Sequence, residues 1–373
     1  MTTALQGLKV IEFSGIGPAP LAGQLLADMG ADVVTIDRKS DKAVDPTDVN
    51  RRGKRSVAID LKAPEGRAAV LQLLAQSDVL IEGFRPGVME KLGLGPGEVG
   101  KHLIYGRMTG WGQEGPAAQT AGHDMTYLAL TGTLNMFGAP GKPPHSGLNY
   151  VADFGGGAMF LVFGILAALI EKVRSGKGQV VDAAMVDGVA AMGGLIHALI
   201  AKGLAGETRG QNFLDGSAPF YRTYECADGA YVAVGCLEPQ FFAEFLRLAD
   251  LPPEDAKLQQ NPKHWPDMHV RYAAHLKTKT RDEWAAIFDG SDACVAPVLK
   301  LSEASEHPHM AARGVYQNIE GAIHPAPAPR FSRSVARTPQ APGLVGGDAT
   351  EVLSECGFDM TEITKLRDAG VLT

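Results

Sequence analysis

The sequence predicts an α/β fold: a mostly parallel, Rossmann-like sheet covered by helices, joined to a smaller α+β domain. Three observations predict it. Strand-like apolar runs alternate with helical runs from Leu8 to Tyr105, the signature of βαβ units. The 373 residues are 45% apolar and 21% charged, enough to build a sizeable core, which excludes a disordered chain. After about residue 220 the period switches to a β-hairpin pattern and then to more charged helices. The 45 glycines show no three-residue period, which excludes collagen.

Leu8–Phe13 reads as a buried strand, followed by the turn Gly15–Pro20, with proline near a helix start. Leu21, Leu25, Leu26 and Met29 have helical spacing, Gly30 ends that helix, and Ala31–Asp37 is a second strand. Val57–Leu61 is a short strand, Pro64 opens a helix through Gln76, and Asp78–Ile81 and Leu103–Tyr105 are further strands. Residues 153–201 read as two apolar helical stretches broken by Ser175–Gln179. The run Gly155–Ile170 has 16 residues, short of the ~20 that span a bilayer, and is expected to be a buried helix. Phe220–Cys226 and Ala230–Gly235 flank Asp228-Gly229, a hairpin signal. Residues 239–290 are helical, residues 322–343 hold five prolines and read as a linker, and Met360–Asp368 is a final helix.

Net charge is −7, which argues against a nucleic-acid partner. The charge is uneven: Arg38, Lys39, Lys42, Arg51, Arg52, Lys54, Arg55 and Lys62 stand among four aspartates in residues 38–62, giving that segment +4. A solvated loop and a small-anion site both fit it. The four cysteines form no CxxC pair and no zinc spacing with histidine, so no metal is expected and the thiols read as reduced. The first residues carry neither a basic nor an apolar leader region. The expectation is a cytoplasmic protein with no membrane partner.

Gly15-x-Gly17 with Asp37 imitates a dinucleotide fingerprint, but Pro20 stands where its third glycine belongs. Arg38, and later Gly83, Phe84, Arg85 and Lys91, follow strand ends, the edge where open α/β sheets bind ligands; arginine forks there suit phosphate. His123 opens an apolar segment beside Gly122. Asp153 precedes Gly155–Gly157 and reads as a helix N-cap, with side-chain-free glycines leaving N–H groups open to an oxyanion. Glu238 lies at another helix start. There is no Walker loop, GxSxG or HExxH.

Taken together, the strings Gly106–Pro116, Ala121–Asp124, Asp153–Gly157, Gly176–Asp182 and Tyr224–Asp228 resemble the α-methylacyl-CoA racemases of the family III CoA-transferase fold. The resemblance runs from about residue 8 to the C-terminal helix. It implies a large Rossmann-like CoA-binding domain built from both chain ends (1–200 and 330–373), a small α+β domain (220–315), linkers at 201–219 and 316–329, and an interlocked homodimer. It implies His123 and Asp153 as an acid–base pair, with Glu238 nearby to orient His123 or shift its pKa. It places CoA against Arg38, Ile59, Asp60, Leu61, Lys62, Gly83, Phe84, Arg85, Lys91, Gly122, Asp124, Met125, Thr126 and Tyr127. Lys91 there is a point charge without arginine's bidentate fork. The implied reaction interconverts (R)- and (S)-2-methylacyl-CoA thioesters by 1,1-proton transfer through an enolate, with acyl-CoA as the partner and no cofactor beyond the CoA of the substrate. The alternative on the same fold is a CoA-transferase using Asp153 as covalent nucleophile; a histidine at 123 favours the racemase. The +4 segment is then expected to meet CoA's phosphates, and the glycines to let backbone approach CoA and the thioester.

Overall fold

The computed structural model describes residues 2–39, 45 and 47–373; Lys42 lies outside them. Its contacts divide the chain into two compact units. One comprises Met1–Thr131, Gly147–Met192 and Ala312–Thr373; the other comprises Gly132–Ser146 and Gly193–Ala311. Both chain ends therefore build the first unit. Residues 132–146 and 193–200, assigned from sequence to the large domain, cluster with the second.

The chain begins with strand β1 (Lys9–Phe13), helix α1 (Pro18–Asp28), β2 (Asp32–Asp37), β3 (Arg55–Ala58), α2 (Pro64–Ala75), β4 (Val79–Glu82), α3 (Val88–Lys91), β5 (Ile104–Thr109) and α4 (Asp124–Leu130). A π-helical segment, Tyr150–Ala158, runs directly into α5 (Met159–Ser175), followed by β6 (Val180–Ala184), α6 (Met185–Met192) and α7 (Gly194–Ala201). Then come β7 (Tyr221–Glu225), β8 (Tyr231–Gly235), α8 (Pro239–Leu248), α9 (Trp265–Leu276), α10 (Arg281–Phe288), β9 (Val295–Pro297), β10 (Tyr316–Ile319) and β11 (Ala322–Pro325). Helices 349–355 and 360–368 close the chain.

In the first unit the strand order is β3-β2-β1-β4-β5-β6, and every neighbouring pair is parallel. β4 and β5 are buried along their whole length, and β1, β2 and β3 are buried after their first residue. That continuous burial marks strands with helices on both faces. One core joins Phe13, Ile36, Val57 and Leu80 to Leu73 and Leu74 of α2 and to Val352, Leu353 and Ile363 from the far end of the chain. Proline opens α1 and α2, where a missing N–H costs nothing.

Three expectations are corrected. The stretch 153–201 is not helical throughout: Val180–Ala184 is the edge strand β6, paired with β5. A five-residue segment, VVDAA, is too short for periodicity to separate strand from helix. The long apolar helix is not buried all round. Leu161, Ile165 and Ala168 of α5 face the core, whereas Phe163 (71% exposed), Ile170 (67%) and Val173 (87%) do not. Joined to the π-helical segment it makes a 26-residue run, Tyr150–Ser175, that by length and composition alone could cross a membrane. Finally, the expected linker 316–329 holds the antiparallel pair β10–β11.

The second unit pairs β7, β8 and β9 antiparallel, as the Asp228-Gly229 turn predicts. Its core gathers Phe220, Phe242, Phe245, Tyr272 and Trp284.

Candidate active site

A cleft of about 410 Å³ opens in the first unit at the C-terminal edge of the sheet. Its walls are Ile16–Ala19 after β1, Gly83–Pro86 after β4, and Met108–Trp111 at the end of β5. The strand order turns back between β1 and β4, the switch point where open α/β sheets leave a crevice. Gly17, at φ 76° and ψ −128°, occupies backbone that a side chain would strain, and a Cβ there would stand 4.0 Å from Asp153 Oδ2. Gly110 is needed for another reason: a Cβ there would overlap the Tyr127 ring.

The cleft brings His123 and Asp153 together with Gly83, Phe84, Arg85, Gly122 and Tyr127. His123 is the exposed N-cap residue of α4, with extended backbone. The Thr126 hydroxyl accepts from its N–H at 2.9 Å and donates to its carbonyl at 2.7 Å, fixing the turn that presents the imidazole. Asp124 is buried, and its Oδ2 accepts from the N–H groups of Ala152 (2.7 Å) and Asp153 (3.0 Å). The residue after His123 therefore anchors the backbone of Asp153.

Asp153 sits inside the π-helical segment Tyr150–Ala158, not at an N-cap, which corrects the sequence reading. π-helical turns are uncommon and recur at functional sites. Of the open N–H groups expected around the glycine run, Asp124 takes those of Ala152 and Asp153. Gly156 and Gly157 are buried, where a Cβ would crowd Met185, Val189 and Pro18. These glycines admit α6 and α1 closely rather than a ligand. Burial first, and then the charge of Asp124, raises the Asp153 carboxyl above its ordinary pKa; a 3.5 Å bond from Asn149 Nδ2 and the His123 charge oppose that. Burial and then Asp153 in turn raise the Tyr127 phenol.

The other sequence-selected residues of the first unit are spread along the same edge. Arg38 is exposed just beyond β2. Ile59 is buried beyond β3 and bridges to Leu372, while Asp60 N–H donates to Val371 and Asp60 Oδ1 accepts from Lys62 N–H. Leu61 packs on the core. Lys91 ends α3 at the surface, and Met125 is half exposed. Arg38, Ile59–Lys62, Lys91, Asp124, Met125 and Thr126 do not line the cleft. Glu238 is the N-cap residue of α8 in the second unit.

Five of the eight cations of the +4 segment are tied to acceptors within the protein. Arg51 holds Asp37 through both Nη atoms (3.0 and 2.6 Å). Arg52, 1% exposed, holds Asp28 and the Pro325 carbonyl. Lys54 Nζ, also buried, lies 2.8 and 2.6 Å from the two Glu12 oxygens and donates to the Pro20 carbonyl. Arg55 joins Asp32 to Glu355. Lys39 donates to the Gly370 carbonyl. Lys39, Arg51, Arg52, Lys54 and Arg55 are thus each committed to an acceptor distant in sequence, which leaves exposed Arg38 outside these pairings.

Sequence reasoning passed over Ile16, Thr109, Trp111 and Met185, which line the cleft. Trp111 meets Tyr127 edge-on at 4.8 Å, and its buried indole N–H has no partner among the described residues. Its place in the Gly106–Pro116 string was the available signal. Among the described residues no cluster of acids, histidines and cysteines could hold a metal ion.

A model of CoA-transferase family III matches residues 5–346. The chain belongs to CoA-transferase family III. Within that family it is 44% identical over 371 residues to a mouse protein named alpha-methylacyl-CoA racemase, covering 97% of this chain and 96% of that one. The human protein of the same name is 42% identical over 380 residues, covering 99% and 97%. A solved structure of a CAIB/BAIF family protein from Brucella suis superposes with a TM-score of 0.81 at 26% identity, over 95% of this chain and 100% of that one. The fold is thus the one that this solved family member also has.

Proposed function

We propose that this chain is an isomerase that racemises 2-methylacyl-CoA thioesters. The observation that carries the reading is one cleft lined by both His123 and Asp153, with the Asp153 carboxyl raised by burial. A hydrogen α to a thioester is a weak acid. Inverting that carbon takes a base on one face and an acid on the other. Neutral His123 takes the proton from one enantiomer, and the C–H electron pair moves into the enolate. Protonated Asp153 then returns a proton to the opposite face. In the reverse direction the Asp153 carboxylate is the base and the imidazolium the acid. A raised carboxyl keeps more of Asp153 protonated, which the donor role needs. The names of the mouse and human relatives support the same reaction.

In this reading Glu238 is the third catalytic residue, and Arg85 with Arg38 meets the phosphates of CoA. The remaining contacts are Ile59–Lys62, Gly83, Phe84, Lys91 and Gly122–Tyr127. CoA arrives as part of the substrate, and the chemistry needs no metal or further cofactor. The exposed apolar face of α5 supports an interlocked homodimer rather than a bilayer span, and the compartment is the cytoplasm.

The family's name favours one rival: a transferase in which Asp153 attacks the thioester carbonyl and CoA thiolate leaves. Incubating each enantiomer of a 2-methylacyl-CoA in D₂O separates the two. The racemase exchanges the α-hydrogen of both enantiomers and brings them to a near-equal mixture with no acceptor acid. Absence of exchange, with CoA moving to an added carboxylate, establishes the transferase instead.

A further inference from the structure

The second unit holds its own cavity of about 760 Å³, large enough for a small organic ligand. Arg222, on β7, and His269, on α9, both line it. Arg222 is half-buried and makes no ion pair among the described residues. Of the other buried or half-buried arginines among the described residues, Arg51, Arg52, Arg55, Arg107 and Arg281 each hold a carboxylate, and only Arg209 shares Arg222's lack of one. A guanidinium withdrawn from water is normally compensated by an anion.

The neighbouring groups do not compensate it. Arg222 Nη1 donates to His269 Nδ1 at 2.6 Å, so the imidazole is a neutral acceptor there and its proton sits on Nε2, which is buried without a partner. Burial and then the Arg222 charge hold the His269 pKa down at about 4. Arg222 Nε reaches only the Thr223 carbonyl, at 3.4 Å, and its guanidinium lies over the Tyr224 ring. Asp215 also lines the cavity. Its oxygens, however, accept from Gly210, Gln211, Asn212 and Ser217, and no carboxylate is among the charges acting on Arg222. Among the described residues nothing accepts from Arg222 Nη2, and the walls of the cavity include the indole of Trp265 and Pro140, Pro262 and Pro266.

We propose that this cavity binds an organic monocarboxylate. Arg222 takes the carboxylate, and the apolar body packs against Trp265 and the prolines. One fixed cation beside a neutral histidine suits a single negative charge better than a phosphate dianion, and the apolar wall suits a hydrocarbon chain or ring.

Hexanoate is a suitable probe, with hexanol as its uncharged counterpart and inorganic phosphate as the alternative anion. Calorimetry should show saturable hexanoate binding to the full chain, weakened about tenfold or more in Arg222→Leu, the usual scale for losing a charged hydrogen bond. Arg222→Lys should fall between the two. Hexanol and phosphate should bind at least about tenfold more weakly than hexanoate, since each lacks half of the recognition. Because Arg222→Leu can fail to fold, the guanidinium NMR signal of Arg222 in the unmodified protein gives a second readout, and it should shift on hexanoate titration. Equal hexanoate affinity in wild type and Arg222→Leu, hexanol binding as well as hexanoate, preference for phosphate, or an unmoved Arg222 signal would each overturn the assignment.

Discussion

The first unit contains two groups of ionisable residues with opposite fates. In residues 51–55, Arg51, Arg52, Lys54 and Arg55 are each locked to an acid. In the cleft, His123, Arg85 and Asp153 form no ion pair among the described residues, and burial strains the Asp153 carboxylate rather than satisfying it. The first group ties β1, α1, β2 and β3 together. The second is poised to meet a ligand. A cluster of charges in a sequence therefore measures charge content and not charge availability. Availability depends on which acids the fold brings alongside.

The sharpest way to break this comparison is to remove one member of the cleft pair. His123→Ala should reduce racemisation about 10²–10⁴-fold, the usual worth of a positioned acid or base, with little change in melting temperature because the side chain is exposed. Near-normal turnover would take His123 out of the mechanism.

The locked group should behave in the opposite way. Lys54→Met leaves Glu12 buried without its partner, and chemical denaturation should show a loss of about 3–5 kcal/mol. In protein that remains folded, KM for the acyl-CoA should be unchanged. A raised KM at full stability would mean that the segment meets substrate after all.

Arg85→Ala probes the available cations. It should raise KM about tenfold at low salt, the scale of one charge-assisted bond, and less at high salt as screening grows. A change in kcat with KM intact would contradict the assignment.

The smallest effect concerns Asp153 and stability. Its folded-state pKa lies above the unfolded value, so the unfolded chain releases this proton first as pH rises. The stability that protonated Asp153 contributes is fully present below the ordinary carboxylate pKa and is lost as pH rises through the raised one. Asp153→Asn does not titrate. Relative to wild type it should therefore gain stability in denaturant melts as pH rises above the ordinary carboxylate pKa. A relative loss over that range would mean that the carboxylate is stabilised where it sits.

Much of the fold was legible in the sequence. Buried strands announce themselves as mainly apolar runs, and proline at the start of α1 and α2 and glycine after α1 mark the helix boundaries. β6 was not legible, because Val180–Ala184 lies between apolar helices and shares their composition. The pairing of Asp28, Asp32 and Asp37 with Arg52, Arg55 and Arg51 was hidden for a different reason. It depends on parallel strand register and on how α1 packs, which no local pattern encodes. At the site, His123, Asp153 and the Gly83–Arg85 turn were visible through their strings. The π-helical setting of Asp153 was not, because a run of three glycines fits an open helix start and a close helix contact equally well. Arg222 carried no sequence signal, since only the fold leaves it without an acid.

The central claim is that His123 and Asp153 serve opposite faces of one carbon. Single-sided variants in D₂O test it most directly. Asp153→Asn should still exchange the α-hydrogen of one enantiomer through His123, with configuration retained. His123→Gln should exchange only the other enantiomer, through Asp153. Exchange of both enantiomers by either variant, or loss of the same enantiomer's exchange in both, would contradict two groups acting from opposite faces.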